Sequence, residues 1–492
     1  MSISVISESK LLAMHSLIYG LGNALNRVVA LLLLPIYTRF LTPHDYGIKE
    51  LVGLSTDVIG ILLSTAISGA IYRFYFEYQD EKDRNEVISS AIITIGSFGL
   101  LTLTILSFAT KTMARYILDS PELYYYFLIS FASVWFNSLN DIGYNYLRAN
   151  HQSLKYVVFS LVKLTSNIGM NIYFICFLKI GVLGILISTL ITSILMFLVM
   201  NVPLSIKTGM RFSATKIKEM LRFGLPMIPG QFGAFLVNIS DRFFIKGYCS
   251  VADAGLYSLG YRFGTLPANF ISEPFNQVWQ PRRFEIYKED NSEKIFGKIF
   301  TYFLTFMLFA GLIIAMLTKD ILMIISDSTF WQAYKIVPII VLATIIFTFH
   351  YHLNMGILIS KKTKYLAYIN LSNGIFVLIL NFLLIPKYGV FGATYATLFA
   401  FIYKIALTYH YSSKYYKIHF EFLRIGKTII IAALIYCASL FIGHPVIYLS
   451  ICLKVSLVLL YPVILLLLGF FTKEEKAKAA DYFNRLLSII KN

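Results

Sequence analysis

Apolar runs of about twenty residues recur from one end of this 492-residue chain to the other. A helix needs roughly 20 apolar residues to cross the ~30 Å hydrocarbon layer of a bilayer, so each run is long enough to form a membrane span. The composition supports this interpretation, because 57% of the residues are hydrophobic and only 14% are charged. The sequence therefore predicts an all-α polytopic membrane protein without a separate soluble domain.

Averaging hydropathy over about 19 residues predicts about fourteen transmembrane helices. They are placed at 11–38, 46–72, 88–108, 118–142, 155–177, 181–203, 219–244, 252–278, 296–316, 334–357, 365–385, 389–411, 425–443 and 446–470. We expect weak boundaries at the fourth span and at the seventh and eighth spans, where proline and polar residues dilute the hydropathy.

The charge of the chain, formally +17, could suggest a nucleic-acid partner. The basic residues nevertheless lie in short connectors and form no single patch, which argues against nucleic acid. Lys and Arg are concentrated in alternate loops, such as the one from Lys207 to Arg222. Since basic loops are retained in the cytoplasm, both termini are predicted to be cytoplasmic. The tail from Thr472 to Asn492 resembles an interfacial amphipathic helix, although a solvated end without a specific role is an equal alternative.

The sequence shows no enzyme signature. It has no phosphate-binding Gly-Lys loop, no nucleophile elbow and no metal-ligand spacing, and the external loops are too short for a catalytic domain. Its four cysteines are scattered without a metal or disulfide pattern. We therefore predict no catalytic residue, no metal and no cofactor, and we expect a transporter rather than an enzyme.

An internal repeat divides the chain. Gly181-Val-Leu-Gly opens the sixth predicted span and Gly389-Val-Phe-Gly opens the twelfth, while Asn171 and Asn381 lie at nearly the same distance before them. These matches predict two pseudo-symmetric six-helix lobes, at 1–210 and 211–415, followed by two further helices and a cytoplasmic amphipathic tail at 416–492. Repeats of this kind commonly place the substrate between the halves. Chance similarity between glycine-rich apolar segments is the alternative.

Polar side chains form stripes in four predicted spans. An ionisable group at the centre of a span costs at least about 2.5 kcal/mol, so such groups usually face a cavity. The stripes comprise Asn23 and Arg27 in the first span, Gly53, Asp57, Gly60, Ser64 and Ser68 in the second, Gln231 and Asn238 in the seventh, and Ser258, Arg262, Thr265, Asn269, Ser272 and Asn276 in the eighth, with Glu273 beside the last stripe.

By the repeat, these four stripes could meet in a water-filled cavity that carries positive charge. Arg27 and Arg262 would be its central cations, and a guanidinium suits phosphate because its planar donors bind two oxygens at once. The alternative is that the small polar residues only pack helices together and that Arg27 pairs with Asp57.

Other charged residues also lie within the predicted spans. Three lysines are expected to snorkel, with their ammonium groups reaching a membrane interface: Lys163, Lys404 and Lys454. Asp141 is expected near a cytoplasmic end. His350 and His352 could relay protons or simply form a helix contact.

Two stretches resemble the polysaccharide flippases of the multidrug, oligosaccharidyl-lipid and polysaccharide (MOP, or MATE-like) exporter superfamily, which includes O-antigen unit translocases. The first stretch, from Arg27 to Gly47, reads RVVALLLLPIYTRFLTPHDYG. The second, from Phe223 to Gly264, reads FGLPMIPGQFGAFLVNISDRFFIKGYCSVADAGLYSLGYRFG. The resemblance extends in span count and order over nearly the whole chain. These motifs point to the family and do not identify the saccharide.

The resemblance implies a bacterial inner-membrane flippase that moves an undecaprenyl-diphosphate-linked oligosaccharide, such as an O-antigen or capsule unit, from the cytoplasmic to the outer leaflet by alternating access. Arg27 and Arg262, with Asn23 and Asn269, match cavity positions for the diphosphate, and Asp57 and Glu273 are candidates for coupling or charge pairing. Gln231, Asn238 and Thr265 are predicted to line the cavity. The implied partners are the lipid-linked saccharide, membrane lipids, H⁺ or Na⁺, and polysaccharide polymerase or assembly proteins.

Three alternatives remain open at this point. A lipid II flippase or a MATE-type drug/cation antiporter could use the same scaffold, although an antiporter would be expected to centre its cavity on carboxylates. A membrane-embedded glycosyltransferase or polymerase is the third, and it would need a large external loop that the sequence lacks.

Overall fold

The computed structural model describes residues 32–442, 446–472 and 475, and every regular element in these residues is helical. The α-helices in the first half are α1 (Leu34–Phe40), α2 (Pro43–Glu77), α3 (Glu81–Ser107), α4 (Thr110–Leu118), α5 (Tyr124–Ala149), α6 (Ser153–Ile172), α7 (Gly181–Met196), α8 (Val202–Thr208), α9 (Ala214–Gly224) and α10 (Ile228–Tyr248). The remaining α-helices are α11 (Val251–Gly264), α12 (Glu273–Ile286), α13 (Ser292–Ile325), α14 (Val337–Thr348), α15 (His350–Leu353), α16 (Met355–Ile359), α17 (Lys364–Ser412), α18 (Phe422–Leu440) and α19 (Ile447–Leu467).

Within the described residues, nine helices are long and apolar enough to cross a membrane. The chain is thus a multi-span all-α protein, as predicted. Helices α5, α10 and α11 cover the fourth, seventh and eighth predicted spans but are not among the nine, in line with the weak hydropathy expected there. The predicted first span lies largely outside the described residues, together with Asn23 and Arg27. The count of fourteen therefore stays a prediction.

The start of α2 shows how the local sequence fixes a helix boundary. The Thr42 hydroxyl accepts a hydrogen bond from the Asp45 backbone N–H at 3.1 Å, and the Asp45 carboxylate accepts one from the Thr42 N–H at 3.1 Å. This reciprocal capping box satisfies two N–H groups that the first turn leaves without helical partners. Pro43 occupies the first turn, where its missing N–H costs nothing.

The Gly-Val-x-Gly repeat has the same local geometry in both copies. The first glycine adopts a positive φ in each, 58° at Gly181 and 56° at Gly389, a region that side chains disfavour. The second glycine lets two helices pack closely in each. A Cβ at Gly184 would lie 2.7 Å from Phe174 Cβ, and one at Gly392 would lie 2.3 Å from the Leu384 carbonyl oxygen. Gly389 also breaks α17 into two segments, matching the eleventh and twelfth predicted spans.

The chain divides into two compact units. Unit 1 comprises residues 1–259, 325–333 and 370–396, and unit 2 comprises 260–324, 334–369 and 397–492. In unit 1, buried aliphatic residues of α2, α3 and α5, such as Ile71, Ile88 and Ile142, form a continuous core. In unit 2, α13, α18 and α19 pack around Leu312, Ile435 and Leu465, among others. Each unit therefore has its own apolar core to hold polar side chains in place.

Helix α9 is not among the nine candidate spans, and charged contacts fix it to unit 1. Its Lys216 ammonium contacts the carboxylates of Asp83 at 2.8 Å and Glu86 at 2.6 Å, next to the start of α3. Burial alone would lower the pKa of Lys216, but the two hydrogen-bonded carboxylates outweigh it and raise that pKa. At the other end of α9, Gly224 packs directly on the Ala66 backbone. Helix α9 is thus an integral part of unit 1.

Candidate functional site: a polar cavity in unit 1

A cavity of about 810 Å³ lies within unit 1, between helices that are predicted to span the membrane. It is lined by Thr56, Asp57, Gly60, Ile61, Ser64, Thr65, Val134, Asn137, Ser138, Asp141, Lys163, Asn167, Thr189, Gln231, Phe235, Asn238 and Ile239. Most of these side chains are polar, and three are charged. A polar chamber of this size is unusual in a membrane protein unless it holds water or a polar ligand.

Helical spacing explains how each helix presents its polar groups to the cavity. On α2, Asp57, Gly60 and Ser64 follow one another at intervals of three and four residues, so they share one face. Helix α10 repeats the pattern with Gln231 and Asn238, two turns apart. The sequence analysis predicted both of these stripes.

The hydroxyl groups of the lining are largely satisfied within their own helices. The Ser64 hydroxyl donates to the Gly60 carbonyl at 2.9 Å, and the Thr56 hydroxyl donates to the Gly53 carbonyl at 2.8 Å. Such back-bonds are common for Ser and Thr inside helices. The lining also contains two carboxylates, one ammonium group and several amides, which can make charged and polar contacts with a ligand.

The positive charge of the cavity is Lys163 on α6. Its ammonium donates a hydrogen bond to the Asn137 side-chain oxygen at 2.9 Å, and it also lies close enough to Asp141 for electrostatic attraction. The Asn137 amide in turn donates to the Ser133 carbonyl at 2.9 Å, which fixes the amide with its oxygen toward the lysine. The hydrogen bond to Asn137 thus holds Lys163 at the cavity wall, with Asp141 nearby.

Asp57, on α2, provides a second carboxylate of the lining. No ion pair within 4 Å is recorded for Asp57 among residues 32–442, 446–472 and 475, and its side chain is exposed to the cavity. The alternative considered from the sequence, that Arg27 pairs with Asp57, involves a residue outside the described residues and stays open. Within the described lining, the cavity therefore carries two carboxylates and one ammonium group.

Three of the residues predicted from sequence, Asp57, Gln231 and Asn238, line the cavity together. The four from the eighth span, Arg262, Thr265, Asn269 and Glu273, belong to unit 2. There the Thr265 hydroxyl donates to the Arg262 carbonyl at 3.1 Å and accepts from the Asn269 amide at 3.5 Å, while Glu273 begins α12 after a π-helical turn. Their predicted contribution to a shared cavity stays a prediction.

The polar lining residues that the sequence analysis did not place in a cavity include Asn137, Asp141, Lys163 and Asn167. Lys163 was expected to snorkel to an interface and Asp141 to lie near a cytoplasmic end; the structure places both in the lining of the cavity. Their spacing was a usable signal, because Asn137 and Asp141, like Lys163 and Asn167, are four residues apart and so share a helix face. The signal was weak because the fourth span is polar on several sides.

Three charged side chains of unit 2, Asp320, Lys454 and Arg283, are instead enclosed by packed helices. Lys454 was also expected to snorkel, but its ammonium lies 2.5 Å from the Asp320 carboxylate, which also accepts from Ser450 at 3.0 Å. The Arg283 guanidinium donates to the Asn354 side-chain oxygen at 3.0 Å. These charges are buried and serve to join helices.

His350 and His352 of unit 2 have different surroundings. His350 lies 3.3 Å from the Thr408 hydroxyl, which matches the helix-contact alternative. His352 is enclosed by four aromatic rings, with centroid distances between 4.7 and 5.6 Å. Within the described part of the chain, neither ring nitrogen of His352 has a hydrogen-bond partner.

The fold defines the class: a multi-span all-α protein whose fold is similar to those of solved membrane transporters. The model superposes on the lipid II flippase MurJ in an inward closed conformation with a TM-score of 0.73 and 17% identity, covering 92% of this chain and 98% of that one. It superposes on an inward-facing multidrug resistance MATE transporter with a TM-score of 0.64 and 13% identity, covering 82% and 96%. At these identities the similarity establishes the fold alone.

Sequence comparison gives the family. Residues 36–286 match the profile of the family described as polysaccharide biosynthesis protein, and the chain belongs to that family. An uncharacterized membrane protein of Haemophilus influenzae is 23% identical, and the alignment covers 56% of this chain and 65% of that protein's length. The succinoglycan biosynthesis transport protein ExoT of Rhizobium meliloti is 21% identical over 48% of this chain and 46% of its own.

Proposed function

We propose that this protein is a flippase that translocates a polyprenyl-diphosphate-linked oligosaccharide, of the kind used for O-antigen, capsule or related surface polysaccharides, across the cytoplasmic membrane by alternating access. The observation that carries the proposal is the cavity of about 810 Å³ with Lys163 on its wall. Membership in the polysaccharide biosynthesis family and similarity to a protein named as a succinoglycan transport protein support it.

The chemistry of the cavity suits the headgroup of such a lipid. A diphosphate is anionic, and the Lys163 ammonium has donors beyond the one that Asn137 accepts, so it can bind phosphate oxygens. Sugar hydroxyls both donate and accept hydrogen bonds, which suits the amides of Asn167, Gln231 and Asn238. The polyprenyl chain, being apolar, would remain in the hydrocarbon. The polar side chains of the cavity would thus replace water around the diphosphate and the sugars, which cannot cross the hydrocarbon unaided.

The sequence predictions complete the proposal. Arg27 and Arg262, with Asn23 and Asn269, are proposed to contribute to diphosphate binding, and Asp57 and Glu273 are proposed to take part in coupling or charge pairing. Both termini are proposed to face the cytoplasm. H⁺ or Na⁺ is the proposed coupling ion, and polysaccharide polymerase or assembly proteins are proposed partners.

A second candidate is a lipid II flippase or a MATE-type cation antiporter. The observation that favours the antiporter is the presence of two carboxylates, Asp57 and Asp141, in the cavity, because carboxylates attract organic cations and protons. Lys163 opposes it, since an ammonium group held at the cavity wall repels a cationic drug.

The test reconstitutes the purified protein in liposomes with a labelled lipid-linked oligosaccharide and measures its transfer between leaflets. We expect transfer by the wild type and a loss of roughly tenfold or more in Lys163→Met, because a hydrogen bond to a charged group contributes about 1.5–3 kcal/mol. Lys319→Met is the matched control, because that exposed lysine lies in unit 2 beside Tyr334. Arg27→Ala and Arg262→Ala test the predicted diphosphate contacts.

Three outcomes contradict parts of the proposal. Absence of transfer by well-folded wild-type protein for every saccharide lipid tested would refute the flippase function. Export of an organic cation such as ethidium in the same liposomes, driven by a proton or sodium gradient, would support the antiporter. Unchanged transfer in both arginine variants would remove those residues from the site.

A further inference from the structure

A second, smaller pocket of unit 1 lies at the end of the spans where α5, α6 and α8 approach one another. It has a volume of about 280 Å³ and is formed by residues on either side of the α5–α6 turn and by the segment that leads into α8. Its lining includes Tyr146, Gln152, Lys155, Phe159, Pro203 and Lys207. None of these residues belongs to the cavity of about 810 Å³, so the pocket is a separate feature.

The walls of this pocket are fixed by close packing. Gly143 lets α5 approach the π-helical segment Phe197–Asn201, because a Cβ there would lie 2.7 Å from Met200 Cε. One turn earlier on α5, Asn140 accepts a hydrogen bond from the Asn201 amide at 2.7 Å. A π-helical turn often marks a functional position in a helix. The pocket is therefore held open by defined contacts and is not a gap between loosely packed helices.

The mouth of the pocket is positively charged. The Lys207 ammonium donates to the Tyr146 hydroxyl at 2.9 Å, which fixes its position, while Lys155 has no recorded hydrogen-bond partner in the described part of the chain. Arg148 and His151 lie in the adjoining turn, and none of the described residues that line the pocket is acidic. This charge pattern favours an anion with several acceptor oxygens.

The surface around the pocket is apolar and exposed. Leu154 is 72% exposed, Val158 48% and Ile206 76%, and Val199, itself 47% exposed, lines the pocket. In a chain that spans a membrane, such side chains face hydrocarbon. A ligand that reaches the two lysines from this side must therefore place an anionic group at the mouth and an apolar chain along the flank.

We propose that this pocket binds the headgroup phosphate of an anionic phospholipid from the membrane leaflet at this end of the spans, with Lys155 and Lys207 as its two cationic contacts. Basic pockets between transmembrane helices are known to hold anionic lipid headgroups. The loop charges predict that this end is cytoplasmic. The bound lipid is a resident partner of unit 1 and not the transported substrate, so the inference does not depend on the proposed function.

The experiment measures the thermal stability of the purified full-length protein in a neutral detergent with increasing phosphatidylglycerol, and with phosphatidylcholine as the uncharged comparison. We expect phosphatidylglycerol to raise the melting temperature of the wild type at much lower concentration than phosphatidylcholine does. In Lys155→Gln/Lys207→Gln, the apparent affinity for phosphatidylglycerol should fall roughly 25-fold, since each lysine near a membrane surface contributes about fivefold.

Two further variants make the test specific. Lys288→Gln/Lys294→Gln changes the net charge equally at exposed positions of unit 2 and should leave the phosphatidylglycerol response intact. Val199→Ser should weaken the response to phosphatidylglycerol without changing any response to inorganic phosphate. An equal loss in the control double variant would contradict the proposal, because general surface charge would then account for binding. Equal stabilisation by inorganic phosphate and by phosphatidylglycerol would also contradict it, because the apolar flank would then contribute nothing.

Discussion

The two units each contain a cavity, and the two cavities differ in where the charges lie. In unit 1, the cavity of about 810 Å³ is lined by Asp57, Asp141 and Lys163. In unit 2, a cavity of about 530 Å³ is lined by aromatic and aliphatic side chains such as Phe300 and Ile402. Two charged side chains of unit 2, Asp320 and Lys454, instead pair with each other inside the helix packing. A charged side chain in a predicted span can therefore be a candidate ligand contact or a link between packed helices. Its exposure to a cavity distinguishes the two.

The largest effect is expected at the ion pair of unit 2. Asp320 and Lys454 are both buried, with 6% and 8% of their side chains exposed, and their charged atoms are 2.5 Å apart. Removing one partner leaves a buried charge without compensation, so Asp320→Ala or Lys454→Ala should each lower the free energy of unfolding by about 3–5 kcal/mol. Denaturation of the purified protein, followed by intrinsic fluorescence, measures this loss.

The double variant Asp320→Leu/Lys454→Met sharpens the same prediction. It removes both charges and fills their space with apolar groups, so it should recover most of the stability that either single variant loses. If the single variants are as stable as the wild type, the pair is not buried as described and the distinction between the units fails.

An intermediate effect is expected at Glu475 of unit 2, whose carboxylate contacts two cations. Its carboxylate lies 3.0 Å from the Arg424 guanidinium and 2.5 Å from the Lys298 ammonium, and its side chain is 11% exposed. Burial alone would raise the pKa of Glu475, but hydrogen bonds from Lys298 and the Thr472 N–H outweigh it and lower the pKa to about 2.

Glu475→Gln should therefore cost about 1 kcal/mol at neutral pH. Because the folded pKa lies below the ordinary value of 4.5, the stabilisation is fully present above about pH 4.5 and is lost as the pH falls towards 2. The difference in unfolding free energy between wild type and variant, measured from pH 7 to pH 3, should shrink with decreasing pH. A difference that grows on acidification would contradict this account. Glu289→Gln, at an exposed position of the same unit, is the control.

The smallest effect on stability is expected in the cavity of unit 1. Lys163→Met and Asp57→Asn should each change the free energy of unfolding by no more than about 0.5 kcal/mol, because both groups face a polar cavity where water can replace the lost contacts. The same denaturation measurement applies. A loss of several kcal/mol in either variant would show that the cavity charges are structural, as in unit 2, and would remove the contrast between the two cavities.

Much of this arrangement could be predicted from the sequence, because it depends on the helical spacing of polar residues and on short local motifs. The polar faces of α2 and α10 follow from helical spacing, and the equal geometry at Gly181 and Gly389 follows from the repeated motif. The contributions of Asp141 and Lys163 could not be predicted in the same way. Hydropathy shows where a charged residue lies along a span, but it does not give the rotation of the helix about its axis. Tertiary packing sets that rotation and so decides whether the side chain faces a cavity or a membrane surface.

The most direct measurement places a photo-crosslinking amino acid in each cavity and adds a radiolabelled lipid-linked oligosaccharide to the reconstituted protein. Asn167 marks the cavity of unit 1, and Ala406 marks the apolar cavity of unit 2. The account predicts that the labelled saccharide headgroup crosslinks at position 167, that unlabelled lipid competes for this site, and that position 406 yields no saccharide adduct. Crosslinking at position 406 with none at position 167 would contradict the assignment of the site to unit 1.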